Sequence, residues 1–261
     1  MILAAAALMA ISAPPQPPPV GDAIYHYIRS NGDGTEAEHV VHFRPTRTRI
    51  AVYKWVEKCT TAAYVTAEME PDLNEGRLFV AGKVAKDGSQ ARFGTLTFDP
   101  KAPSLTVDVT PPGSTERIQE THKLQRRPYL LYDFDFADLN AFFQEHRDAM
   151  HESFALPVIW PIAGPTVFRD YGTLHVSLGG EEVREGLKTK RFDLGVEGAK
   201  AATGAVWVDA ADGHIVEAEL GLPNHLGYQD FRLKLERVEP GGKTAWDALT
   251  RSQYANCPTG K

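Results

Sequence analysis

The stretch TGAVWVDAADGHIVEAEL, residues 203–220, decides how the rest of the chain is read. Its arms flank Asp212-Gly213, a pair that tolerates the positive φ of a tight turn. In the second arm Val216, Ala218 and Leu220 fall on one side and Glu217 and Glu219 on the other. That period of two makes a strand with one dry face and one wet face. A dry face has to cover something, either a core or a guest molecule.

Working outward, the same grammar recurs. AIYHYIRS (23–30) runs into the turn NGDG and then EAEHVVHF (36–43). TRIAVYKWV, TAAYVTAEM, GRLFVAGKV, QARFGTLTF, SLTVDVT and TERIQETH follow, and YGTLHVSL, TKRFDLGV, GAVWVD, HIVEAEL and YQDFRLKLERV fill the C-terminal half. About a dozen short strands with polar turns predict an antiparallel meander, and the absence of alternating strand and helix argues against a parallel nucleotide-binding sheet. The late strands have one polar face, with Phe231, Leu233 and Leu235 opposed to Arg232, Lys234 and Glu236. The early strands are apolar on both: Ile50, Val52 and Val56 share one side and Tyr53 and Trp55 the other. A sheet covered on both faces is the simplest account.

One segment breaks the period. In FADLNAFFQEHRDAM (136–150), Phe136, Leu139, Phe142, Phe143 and Met150 recur at helical spacing, with Gln144, Glu145, Arg147 and Asp148 opposite. This predicts one amphipathic helix lying on the sheet, with Asp135 as its cap and Asp138 in its first turn. After it, FALPVIWPIAGPTVF (154–168) is apolar but broken by Pro157, Pro161, Gly164 and Pro165, so it is not a central strand throughout. It reads as a buried crossover or as a flap that brings Trp160 to a cavity mouth.

The chain has 261 residues, 43% of them hydrophobic, which is enough for one large β-rich domain. Net charge is −6, and the basic spots RPTRTR and KLQRR are short, so no nucleic-acid partner is expected. Residues 1–13, MILAAAALMAISA, have the small, apolar character of a secretory signal, and 14–22 form a proline-rich spacer before a single domain over 23–261. The apolar run is too short to span a bilayer, and no transmembrane segment is expected in the mature chain. The expected location is periplasmic or secreted. There the two cysteines, Cys59 and Cys257, can pair; their spacing gives no zinc or thioredoxin-type motif.

Signatures of chemistry are missing. His146-Arg147-Asp148 lacks the rest of a kinase catalytic loop. DAADGH (209–214) opens like a calcium loop but has Ala211 and Leu220 where ligands are needed. The scattered histidines give no metal spacing, no cofactor motif occurs, and Asp133, Asp135 and Asp138 read more economically as helix-start residues than as an acid–base set. The expectation is no enzyme, no metal and no cofactor.

Gly204, Trp207, Val208, Asp209, Asp212, Gly213, Ile215, Val216 and Glu219 form a W-V-D, D-G, I-V-x-A-E hairpin. This pattern resembles a recurring feature of the periplasmic lipoprotein-sorting carriers (the Lol-type half-barrel group) and their uncharacterised exported relatives. The resemblance covers 203–220. It implies a strongly curved antiparallel sheet around helices, with an apolar concavity that receives lipid or acyl chains.

The expected fold is therefore mainly β, a large curved antiparallel meander or open half-barrel with one central amphipathic helix. The expected function is binding of an apolar or amphipathic ligand, a lipid or a lipoprotein acyl chain, with Tyr53, Trp55, Phe142, Phe143, Trp160 and Trp207 as candidate lining. The alternative is a structural or interaction domain of the cell envelope that docks an envelope protein, its core filled by its own side chains.

Overall fold

A computed structural model describes residues 19–160, 166–198 and 200–258. The stretch expected to be a signal, most of the proline-rich stretch after it and residues 161–165 of the proline-broken stretch lie outside the described residues. Fourteen strands form one antiparallel sheet: β1 Ala23–Ser30, β2 Glu38–Thr46, β3 Arg49–Trp55, β4 Ala63–Met69, β5 Gly76–Val84, β6 Gln90–Asp99, β7 Ser104–Val109, β8 Ile118–Lys123, β9 His151–Ile159, β10 Phe168–Arg184, β11 Leu187–Glu197, β12 Ala202–Asp209, β13 Ile215–Leu220 and β14 Phe231–Pro240. Two short helices accompany them, α1 Ala137–Glu145 and α2 Gly242–Arg251.

The spatial order is β8-β7-β6-β5-β4-β3-β2-β1-β14-β13-β12-β11-β10-β9. The N-terminal half therefore winds outward from the centre to one edge, and the C-terminal half returns from the other edge to pair β14 with β1. This arrangement obliges residues 124–150, which join β8 to β9, to cross from edge to edge. They cross through the hollow and carry α1 with them. Register breaks at His26/Tyr27, Phe43/Thr46, Glu68/Met69, Ala81/Gly82 and Leu178/Gly180 bend the strands. The bend brings the two ends of the sheet within side-chain reach. Glu120 of β8 accepts from Val167 N at 2.9 Å and from the Thr166 hydroxyl, and His122 Nε2 lies 3.2 Å from Asp170 of β10. The sheet stays open, clasped by side chains rather than by a backbone ladder.

The inner face carries the main core. Tyr25, Tyr27, Val40, Ile50 and Val52 meet Phe136, Leu139, Phe142 and Phe143 of the crossing segment. Asn140 is the polar peg of this contact. Its amide donates to Tyr27 Oη at 3.1 Å and to His42 Nδ1 at 3.2 Å, and its Oδ1 accepts from Ile215 N at 2.8 Å. Arg44 of β2 ties the far end of α1 by donating to Gln144 Oε1 at 2.9 Å and to Glu145.

Four sequence expectations change. The sheet does have two covers at its early strands, but the outer one is α2, to which the sequence reading gave no element. Only Trp246 of α2 is a large side chain buried on that face; it stacks 5.3 Å from Phe43 and donates its Nε1 to Tyr64 Oη at 2.9 Å. The disulfide Cys59–Cys257 fastens the chain beyond this helix to the turn after β3. The predicted helix ends at Glu145 instead of reaching Met150, which is 52% exposed. Asp135 does not cap it: the N-cap is Phe136, without a side-chain cap bond. Lastly, a bulge opposite Trp207/Val208 turns Val216 to the outer face beside Trp207, while Ala218 and Leu220 stay inside. Glu217, expected to be wet, is buried and bonded by Arg184 and Arg232.

The opening hairpin thus covers α1. Gly213 at its tip has φ +78°, and a Cβ there would sit 2.6 Å from Phe143 O, so the turn residue is set by close approach to the helix end as well as by backbone geometry.

Candidate ligand cavity and its buried ion cluster

The hollow is filled unevenly. Beneath β9–β13, Phe142 packs edge-on to Phe154 at 5.4 Å, and Phe143 lies 4.6 Å from Phe192. Beneath β4–β7 the crossing segment has no α-helix, only the 3₁₀ turn Tyr132–Phe134 and the extended stretch before it, whose Tyr129 packs 5.4 Å from Phe98. There a cavity of about 250 Å³ remains. Val65, Phe79, Ala81, Phe93, Leu96, Val107 and Val109 form its roof, and Leu131, Phe134 and Ile159 close it below. The wall carries few polar side chains: Lys54, Thr95, Asp133 and His225. Apolar walls with a few convergent polar groups are the usual make-up of a small-molecule site, and this volume lies just under the usual range of about 300–1,000 Å³. A larger groove of about 510 Å³ runs outside, between α2 and β3–β6, where Phe43, Tyr64, Leu78, Val80 and Trp246 share the wall with Arg49, Glu68, Arg92, Lys243 and Asp247, so its lining is more charged than that of the inner cavity.

The polar end of the inner cavity is one face of a buried ion cluster centred on Asp135. The left-handed backbone of Asp135, φ 54°, turns its carboxylate away from α1 and under β3. Lys54 Nζ lies 2.6 Å from its Oδ2, Arg29 Nε lies 3.7 Å from its Oδ1, and Asn224 Nδ2 donates to that oxygen at 2.6 Å. Arg29 also pairs with Glu38 at 2.6 Å and donates to Asn224 Oδ1 at 3.0 Å, with Tyr228 stacked 3.9 Å from its guanidinium. Burial pushes the Asp135 carboxyl up, but the Lys54 and Arg29 charges overcome it and hold it well below the usual carboxylate range.

Lys54 is hemmed in by three neighbours. Besides Asp135 it donates to Asp133 O at 3.1 Å and faces His225 Nε2 at 3.2 Å. Burial, then the adjacent Lys54 charge, lowers His225 to about 4, so the ring is neutral near pH 7 and accepts from the ammonium. Asp133 is different. Its Oδ1 accepts from Ile159 N at 3.0 Å, which fixes the carboxyl at the cavity wall, and burial raises it to about 7. At neutral pH it sits between its two protonation states.

The six residues expected to line a cavity are distributed elsewhere. Tyr53 and Trp55 stack 4.3 Å apart on the outer face beneath the C-terminal segment. Trp207 is also on the outer face, with Arg184 4.2 Å from its ring. Phe142 and Phe143 are inside but in the filled half. Trp160 comes nearest, since Ile159 beside it is on the cavity wall, but its own Nε1 is engaged with Asn224 O at 3.2 Å. The residues that do line the cavity are apolar side chains of β4–β7, Phe79 and Phe93 the largest of them, whose alternation is visible in GRLFVAGKV and QARFGTLTF. Aromatic character alone did not locate the cavity: Phe79, Phe93 and Phe134 line it, while Tyr53, Trp55, Phe142, Phe143 and Trp207 are packed elsewhere.

Two other groupings of polar side chains stand apart from the cavity. Ligand atoms of Asp209, Asp212 and His214 lie within 4.8 Å of one another. Asp209 Oδ1 already accepts from Ala211 N at 2.7 Å and Asp212 N at 3.0 Å, and Asp212 accepts from His214 N at 3.0 Å, so the hairpin turn uses these carboxylates itself. Ser153 Oγ lies 3.0 Å from His175 Nδ1, with Glu197 3.5 Å from Nε2, but Glu197 is 86% exposed and the group lines none of the cavities above. No family model matches the chain, and none of the curated proteins matches it.

Proposed function

We propose that this chain is an exported, non-catalytic binding protein that shelters an apolar or amphipathic ligand, a single acyl chain in size, under β4–β7. The observation that carries this reading is the half-empty hollow: α1 packs out one side of the sheet, while about 250 Å³ lined by apolar side chains is left on the other. Burying a chain in an apolar space of this kind contributes roughly 0.8 kcal/mol per methylene. The disulfide Cys59–Cys257 is compatible with an oxidising compartment and so with export. The alternative, an envelope domain that docks a partner along a sheet edge, has less to support it. The edge of β9 already takes Leu130 N on Ala155 O at 3.0 Å and gives Ala155 N to Pro128 O at 2.9 Å.

Octanol, a neutral chain short enough to stay monomeric in solution, is the test ligand. Calorimetric titration of the purified protein is expected to give saturable binding, and Ala81→Trp, which fills the cavity from its roof, is expected to abolish it without unfolding the sheet. Octanol binding that survives Ala81→Trp would place the ligand elsewhere.

A further inference from the structure

The cavity's polar end has a definite chemical preference, and this inference rests on the binding role proposed above. Lys54 is the cation on the wall, and its contacts are taken by Asp135 Oδ2 at 2.6 Å, Asp133 O at 3.1 Å and His225 Nε2 at 3.2 Å. Arg29 is likewise committed to Glu38, Asp135 and Asn224. A carboxylate or phosphate head arriving at this end therefore meets cations already charge-paired with Asp135 and Glu38. It also meets Asp133. One oxygen of that carboxyl accepts from Ile159 N, and its Oδ2 has no donor among the described residues. With Asp133 ionised, Arg29 and Lys54 face Asp135, Glu38 and Asp133, leaving one negative charge unbalanced.

We propose that the cavity selects amphipathic molecules whose polar end is a cationic N–H donor, such as a primary alkylamine, with that end seated on Asp133 Oδ2 and the chain under β4–β7. A neutral hydroxyl fits the same place with a weaker bond, and an anionic head is repelled. The carboxyl's position between its two protonation states at neutral pH agrees with this, since a cation at 3 Å or so would draw it into the ionised form.

The test compares octylamine, octanol and octanoate by calorimetry at about pH 8, where Asp133 is mostly ionised and an alkylamine is still charged. The affinity order expected is octylamine, then octanol, then octanoate. Asp133→Asn keeps the acceptor for Ile159 N and the shape of the side chain while removing the charge. It is expected to weaken octylamine by about tenfold or more and to change octanol by less than about twofold, the difference between a charge-assisted and a neutral hydrogen bond. The order in the unmodified protein needs no variant to fold. If octanoate binds as tightly as octylamine, or if Asp133→Asn weakens all three ligands alike, the head-group assignment is overturned while the cavity reading stands. If none of the three binds, both fall together.

Discussion

Replacing Asp135 by alanine is expected to destabilise the protein by about 3–5 kcal/mol. The carboxylate is fully buried and holds Lys54 and Arg29, which are themselves nearly excluded from water. Removing it takes away the 2.6 Å ion pair of Lys54 and leaves the ammonium with a carbonyl, a neutral imidazole and the half-ionised Asp133 carboxyl. Arg29 suffers less, because Glu38 remains 2.6 Å away. The magnitude is thus carried mainly by Lys54, and the double variant Asp135→Ala with Lys54→Met is expected to recover a large part of the loss. Urea unfolding of the two variants checks both statements. The sign with pH follows from the direction of the shift. A carboxyl held below its unfolded value stabilises the fold above that unfolded value, near pH 4, and loses the contribution as pH falls toward its folded one. The Asp135→Ala penalty should therefore be present in full at neutral pH and shrink in acid. A penalty that stays the same down to about pH 2 contradicts the ion-cluster account.

Loss of the Cys59–Cys257 bridge is expected to cost about 2–5 kcal/mol. The cysteines are 198 residues apart, so in the chain-entropy view the bridge constrains nearly the whole unfolded chain, with an upper figure of roughly 5 kcal/mol. In the folded protein it secures the segment after α2, whose Gln253 Nε2 donates to Glu57 O at 3.0 Å and Thr60 O at 2.9 Å. These bonds and the Trp246 packing remain after reduction, which is why the helix should stay docked at neutral pH while the melting temperature falls. Thermal melts of Cys59→Ser with Cys257→Ser, beside the reduced native chain, measure the effect. An unchanged melting temperature would show that the tail adds nothing to global stability.

Sequence and structure agree most where the period is long and regular. The meander was legible because strand after strand alternates between clear turns, and the hollow's occupant was legible because Phe136, Leu139, Phe142 and Phe143 share a helical stripe. The second helix was not, because its stripe is short: in ten residues only Ala245, Trp246 and Leu249 turn an apolar side to the sheet. The two-faced apolar pattern of β1–β3 did demand an outer cover; it did not say which segment supplies it. Val216 defeated the alternation argument through a bulge, which shifts faces without changing composition. The candidate site was half legible. Asp133 and Asp135 stood out as acidic residues, but a helix start explained them as well as a charge cluster did. Their partners Lys54, Arg29 and His225 come from β3, β1 and the loop before β14, and no local pattern joins residues that far apart. The cavity itself is a difference between how much two halves of a sheet are filled, which depends on where the crossing chain turns.

The most direct test of the account is a methyl-resolved NMR titration with octanol. The account predicts shifts confined to Val65, Leu96, Val107, Val109, Leu131 and Ile159 on the cavity wall, with Val176, Leu194 and Val206 around α1 unmoved. Shifts centred on α1, on the outer face near Trp246, or spread without a focus would contradict it.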